Sequence, residues 1–225
     1  MARGLRPHLW RPRHRGQRLA RTAAMTSAVV EITSLDALKA ATMRCRECPI
    51  GFIATQSVIG EGNPRAKLML VGEQPGDQED KLGHPFIGPA GKLLARALEA
   101  AGVPAEKVFV SNAVKHFKYE LRGKRRIHKT PTQREVAACH HWLDDEIAIV
   151  KPQAFVALGS TAALSLMGYK VGVMAERGKW LEREDGRKVL VTLHPSALLR
   201  GDPQDRDAAF AAFVQDLSKA KKALA

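Results

Sequence analysis

The residues best equipped for chemistry fall in a few short stretches. Gly72-Glu73-Gln74-Pro75-Gly76-Asp77-Gln78-Glu79-Asp80 joins small residues to several carboxylates. Glycines let a backbone approach a ligand closely, and carboxylates can steer a proton or stabilise positive charge developing at a reacting carbon. A plain acidic turn has the same composition. His84-Pro85-Phe86-Ile87-Gly88-Pro89-Ala90-Gly91 continues that block, and His194-Pro195-Ser196-Ala197-Leu198 lies far downstream. A histidine in such a place can act as acid, base or hydrogen-bond donor near neutral pH. Cys45-Arg46-Glu47-Cys48 has the spacing used for metals, clusters and redox pairs, and Cys139 is the third cysteine. Lys124-Arg125-Arg126-Ile127-His128 sets an imidazole behind three cations. The surrounding segment, 115–134, holds eight Lys or Arg and one acid, Glu120. A run of this kind suits DNA phosphates, and equally a solvated loop.

Four short β-rich runs alternate with helical patterns and must position these stretches. They are Lys67 to Val71, Val108 to Asn112, Ala154 to Leu158 and Val189 to Leu193, each apolar enough to be covered on both faces. Each ends in a residue of interest: Glu73 follows the first, Asn112 closes the second, Gly159-Ser160 follows the third and His194 the fourth. Ligands of open α/β sheets collect beyond the carboxyl ends of the strands. Between the runs, Gly91 to Ala101 reads as a helix stopped by Gly102, and Thr132-x-x-Glu135 reads as a capping box. Val136, Cys139, Leu143, Ile147 and Val150 then share a helical face, as do Phe210, Phe213, Val214, Leu217 and Leu224. Both stripes are core-facing.

The chain of 225 residues has 36 Lys plus Arg against 23 Asp plus Glu, and 45% hydrophobic residues. That is enough for one sizeable core, and no apolar run approaches the ~18 residues that cross a bilayer. The net charge of +13 is not evenly spread: residues 1–24 hold seven Arg and no acid, which leaves about +6 for the rest. The expected organisation is a basic extension over 1–25, with Met25 as a candidate start, and one domain over 26–225. Three cysteines cannot close a disulfide framework, so a reducing cytoplasm fits the composition.

Taken together, the two glycine-rich blocks after the first strand and the His-Pro-Ser turn after the last resemble the uracil-DNA glycosylase superfamily, particularly its iron-sulfur family-4 branch. The similarity runs over residues 35 to 220. Within that branch, Lys124 to His128 resembles the additional loop of the UdgX proteins, which bond covalently to DNA at uracil sites. The resemblance implies an α/β fold, a three-layer α/β/α sandwich around a four-stranded parallel sheet. It implies a uracil pocket in which Phe86 stacks on the base, Asn112 reads its edge and Gln74 shapes the floor. His194 would stabilise the departing base. Pro195, Ser196 and Leu198 would press on DNA, with Leu198 as a wedge.

The resemblance also implies a 4Fe-4S cluster. Familiar family-4 enzymes use four cysteines; here the position matching the third carries His116, so the ligand set becomes Cys45, Cys48, His116 and Cys139. A structural staple is the role expected of it. His128 becomes the candidate nucleophile toward the anomeric carbon, because a held imidazole can outcompete water through proximity. Glu73 would activate or orient it, Asp77 would lend electrostatic support, and Lys124, Arg125 and Arg126 would hold the loop and the DNA. The expected partner is uracil-containing DNA, in a bacterial cytoplasm and nucleoid-associated through that DNA, with a monomeric protein, no membrane and no obligatory protein partner. Two other readings share these residues: a multiple-turnover glycosylase using water, and a non-catalytic iron-sulfur DNA-binding module.

Overall fold

Short apolar strands that need cover on both faces, alternating with amphipathic helices, force a layered α/β arrangement. The computed structural model describes residues 32–224. The expected basic extension, 1–25, lies outside the described residues. In chain order the first elements are α1 (Leu35–Met43), α2 (Ile50–Ile53), β1 (Glu61–Gly62), β2 (Leu68–Gly72), α3 (Asp77–Leu82), α4 (Pro89–Ala101) and β3 (Val108–Asn112). Next come β4 (Tyr119–Arg122), β5 (Arg125–His128), α5 (Gln133–Val150), β6 (Ala154–Leu158) and α6 (Ser160–Met167). The last are α7 (Val173–Glu176), β7 (Trp180–Glu182), β8 (Lys188–Thr192), α8 (Pro195–Arg200) and α9 (Arg206–Ser218). No helix among the described residues is long and apolar enough to cross a membrane.

The main sheet has the order β1-β3-β2-β6-β8-β7. Its centre, β3-β2-β6-β8, is the expected parallel set. The antiparallel strands β1 and β7 extend it at the two edges, so the sheet is mixed and six-stranded rather than four-stranded. Two and three residues long, these edge strands are too short to show a β pattern in sequence.

Alternation along each strand divides the core. Met69 and Val71 face α5 and α6 with Leu143, Ile147 and Leu166, whereas Leu68 and Leu70 face α4 and α9 with Leu94, Leu98, Phe213 and Leu217. A one-residue slip of β2 would exchange the two sets, so burial on both faces specifies the register. A third apolar cluster joins α1 to α5 through Leu38, Ile50, Val136, Cys139 and Trp142. The capping box that opens α5 is formed: Thr132 Oγ1 accepts from Glu135 N at 3.4 Å and Glu135 Oε2 accepts from Thr132 N at 2.6 Å.

The segment expected as a basic loop folds as a β-hairpin. β4 and β5 pair Tyr119 with His128, Leu121 with Arg126 and Arg122 with Arg125. The two-residue turn places Gly123 first, with φ 59°, the position at which II′ hairpin turns need a positive φ. Because strand neighbours alternate faces, His128 and Arg126 share one face of the ribbon.

Candidate active site

Connections leave β2 toward β3 on one side and reach β6 and β8 on the other, so a crevice opens beyond the carboxyl end of β2. A cavity of about 370 Å³ lies there, with Gln74, Phe86, Asn112, His128, His194 and Leu199 among its walls. The walls meet over Gly72. A Cβ at that residue would lie 2.5 Å from Asn112 Oδ1, 2.7 Å from Phe86 Cζ and 3.5 Å from His194 Nε2. Three side chains from three separate elements thus converge above one Cα, and glycine alone leaves room for them. An aromatic face, a carboxamide and an imidazole around a small cavity can select a planar, uncharged, hydrogen-bonding ring.

Phe86 is held in an unusual backbone conformation, with φ 56° in a residue that is not glycine. The cost of that conformation is of order 1–2 kcal/mol. Packing on Gly91 maintains it: a Cβ at Gly91 would fall 1.6 Å from the Phe86 carbonyl oxygen. Glu79 Oε1 accepts from Gly88 N at 2.9 Å, tying the first acidic block to the loop that carries Phe86.

His194 caps α8. Its Nδ1 accepts from the backbone N–H of Ser196 at 3.2 Å and lies 2.8 Å from Ser196 Oγ. An Nδ1 that accepts leaves the proton of the neutral ring on Nε2, the nitrogen facing Gly72 and the cavity. Burial pushes the His194 pKa down to about 4 against the opposing charge of Glu73. The ring is therefore a neutral donor at physiological pH, suited to a carbonyl oxygen that gains negative charge.

Across the cavity, His128 Nε2 lies 3.4 Å from Glu73 Oε1. The other carboxylate oxygen, Oε2, accepts from Thr161 Oγ1 at 2.8 Å. Burial opposes the charge of Glu73, but the hydrogen bonds to His128 and Thr161 outweigh it and hold the carboxyl below its ordinary pKa. An ionised Glu73 is thereby aimed at the imidazole. Thr161 was not singled out from the sequence, although Gly159-Ser160 beside it marks the end of the third parallel strand.

Arg126 and Gln74 dock the hairpin on this site, and Tyr119 Oη donates to the Ile53 carbonyl at 3.0 Å. Arg126 Nε and Nη1 reach Asp77 Oδ1 and Asp80 Oδ2, each at 2.6 Å, and Nη1 donates to Thr55 Oγ1 at 3.0 Å. Its guanidinium stacks over Tyr119 at 5.0 Å and Phe117 at 5.5 Å. Gln74 spans the hairpin base: Nε2 donates to the carbonyls of Lys118 and Lys129 at 3.3 and 3.1 Å, and Oε1 accepts from Lys118 N at 3.0 Å. Its side-chain amide is thus committed to the hairpin rather than turned toward a base. Asp77 sits between Arg126 and Lys81. Burial opposes its charge, but hydrogen bonds from Lys81 and Arg126 hold its carboxyl below the usual range.

The residues expected to face DNA on the last turn differ in exposure. Leu198 is a core residue, 6% exposed, because the face of α8 that bears it packs on α4 and α9. Leu199, 40% exposed, and Arg200 line the cavity instead. Pro195 is buried and begins α8, while Ser196 sets the His194 tautomer. The basic segment is also less cationic than its composition implies. Lys115 is fully buried and pairs with Glu146 at 2.9 Å, Lys118 pairs with Glu135, Lys129 with Glu120, and Arg126 with Asp77 and Asp80. Arg122, Lys124, Arg125 and Arg134 have no salt bridge among the described residues; the first three sit at the exposed hairpin tip.

The proposed cluster ligands gather around the third apolar cluster. Cys45 and Cys48 pack against it and Cys139 is part of it. Two N–H groups point at sulfur: Trp142 Nε1 toward Cys45 Sγ and Lys115 N toward Cys139 Sγ, both at 3.3 Å. Burial pushes the Cys139 thiol up to about 12, and the charges of Cys45 and Cys48 act on it in the same direction. A positive iron centre would relieve this mutual opposition. His116, buried and with its pKa lowered to about 4 chiefly by burial, hydrogen-bonds the backbone of Thr42, just before Cys45. A ligating histidine commonly has its second nitrogen engaged in this manner. Among the described residues no set of three or more His, Cys, Asp or Glu is arranged for a single metal ion. The fit to an iron-sulfur cluster rests on donor chemistry: three thiols around one apolar cluster, with N–H groups directed at two of the sulfurs.

Residues 59–218 match the family described as Uracil DNA glycosylase superfamily. The chain is 39% identical over 179 residues to a type-4 uracil-DNA glycosylase of Thermotoga maritima, covering 79% of this chain and 88% of that protein. It is 37% identical over 174 residues to a type-4 uracil-DNA glycosylase of Sulfurisphaera tokodaii, covering 74% of this chain and 76% of the relative. A third, from Archaeoglobus fulgidus, is 35% identical over 173 residues, 74% of this chain and 83% of its own length. Sequence similarity, the sheet order and the convergence over Gly72 lead to one conclusion: the chain belongs to the uracil-DNA glycosylase superfamily.

Proposed function

We propose that this protein is a uracil-DNA glycosylase that excises uracil from DNA and is itself captured, through His128, on the abasic sugar left behind. Excision is supported by its type-4 relatives and by the Phe86, Asn112 and His194 constellation. Capture rests on one observation, the placement of His128 at the cavity wall with Nε2 3.4 Å from an ionised Glu73.

The flipped uracil lies on Phe86, its edge meets Asn112, and the Nε2–H of His194 donates to a base carbonyl. As the bond between the base nitrogen and C1′ breaks, its electron pair leaves with uracil and His194 stabilises the anion. Positive character at C1′ is captured by the lone pair of His128, forming a carbon–nitrogen bond. The imidazole proton directed at Glu73 passes to that carboxylate and ends on the released base. No water is consumed. The product is a neutral N-substituted imidazole, a poor leaving group, so the link persists where an acyl intermediate would turn over.

Arg122, Lys124 and Arg125 supply phosphate contacts without reading sequence. A 4Fe-4S cluster held by Cys45, Cys48, His116 and Cys139 would act as a structural staple between the α1–α2 segment, the chain after β3, and α5. The test is a denaturing gel with a uracil-containing oligonucleotide. Wild type should give an SDS-resistant protein–DNA band and His128→Ser should give none while still releasing base. Release without a band in wild type would establish the water-using reaction instead, and salt-sensitive binding without release would establish a binding module.

A further inference from the structure

A second concavity, about 260 Å³, opens between the start of α5 and the end of α6. Its walls include Val136, Ala137 and Leu164, and Ser165 lies within it, 4% exposed, with an Oγ that has no hydrogen-bond partner. A buried hydroxyl left unpaired costs roughly 1–3 kcal/mol, so this one calls for a water or ligand partner. Tyr169, 49% exposed, and the cations Arg134 and Lys170 stand at the rim. Neither cation has a salt bridge among the described residues.

This concavity opens onto a groove that approaches the active site from the side of Thr161. The groove shares Gln133, Val136, Leu164 and Lys170 with it and reaches Thr161, the residue that holds Glu73 opposite His128. A track therefore leads from Thr161, beside Glu73, past Lys170 to Tyr169 and Ser165. We propose that this track carries the DNA strand beside the uracil and that a flanking nucleobase occupies the concavity. The base stacks against Tyr169, takes a hydrogen bond from Ser165 Oγ and has its phosphates met by Arg134 and Lys170. Base stacking on an exposed aromatic with cations at hand is how single strands are held without sequence readout. The inference rests on the reading of the protein as acting on uracil in DNA, and it makes that substrate a single strand with at least one splayed neighbour.

The test uses single-stranded oligonucleotides in which one uracil is fixed on a non-excisable 2′-fluoro sugar. Each flanking position in turn is replaced by a base-less tetrahydrofuran residue. Binding is read by fluorescence anisotropy, and uracil release is measured separately on the natural sugar. Wild type should lose about 5- to 100-fold in affinity at one flanking position. Tyr169→Ala and Ser165→Ala should bind the intact strand more weakly and lose that positional sensitivity, and Ser165→Ala should melt no lower than wild type because its hydroxyl has no partner to lose. Equal affinity for every base-less strand in wild type, or full positional sensitivity retained in both variants, overturns the proposal. Absence of release from the natural strand, with positional sensitivity intact, would refute the excision reading and leave the subsite standing.

Discussion

Replacing Arg126 by alanine removes the clamp that docks the hairpin bearing His128. Asp80 is fully buried and accepts Arg126 Nη1 at 2.6 Å, so its carboxylate would keep only the Thr55 backbone N–H, at 3.0 and 3.2 Å. Stranding one partner of a buried ion pair costs about 3–5 kcal/mol. Asp77 is 38% exposed, so its share is no more than about 1 kcal/mol after solvent screening. The stacking over Tyr119 and Phe117 adds about 0.5–1 kcal/mol per ring. Taking ~3 kcal/mol as the part that favours the docked hairpin, the docked fraction falls by about 10²-fold. Gly72, Phe86, Asn112 and His194 lie on other elements, so base excision should survive. The assay follows uracil release and the SDS-resistant band in the same single-turnover time course. Arg126→Ala should slow the band about 100-fold and release by less than about tenfold. Asp80→Asn in that background should recover thermal stability without recovering the band. A band that slows in step with release, or not at all, would refute the idea that the clamp positions the nucleophile.

Other outcomes follow from the same geometry. The His194 pKa of about 4 means that excision should hold from neutral pH down to about 5 and then fall through about 4; half-loss near 6.5, the value of an ordinary imidazole, would contradict the neutral-donor role. Gly72→Ala would drive a methyl to 2.5 Å from Asn112 Oδ1 and 2.7 Å from Phe86 Cζ; uracil release should drop more than about 10²-fold and the melting temperature should fall by a few degrees, since those buried walls must part. Anaerobically purified protein should contain iron and acid-labile sulfide in equal amounts, and Cys48→Ser should lose both and melt at lower temperature; zinc in place of iron would reject the cluster.

The four parallel strands were legible because each is a compact apolar run with a functional residue at its carboxyl end, and the capping box at Thr132 and Glu135 marked α5 directly. Hairpin formation was not, because charged residues throughout β4 and β5 mask the alternation, and only Gly123 signals a turn. Lys115 shows the limit of charge counting. Its partner Glu146 lies on another element, so nothing local distinguishes a buried lysine from a phosphate contact. The exchange of Leu198 for Leu199 at the cavity has a similar cause: α8 has six residues, too few for a helical period to declare its buried face. Gln74 lines the cavity whose floor it is expected to shape, but its clip on the hairpin is not legible, because the backbone atoms of Lys118 and Lys129 that it bonds are remote in sequence.

The most direct measurement is peptide mapping by tandem mass spectrometry after complete reaction with a uracil-containing oligonucleotide and nuclease digestion of the DNA. A deoxyribose-derived mass on the peptide containing His128, with fragment ions placing it on the imidazole, is the predicted result. Unmodified His128 after full release of uracil, or the same mass on another side chain, would contradict it.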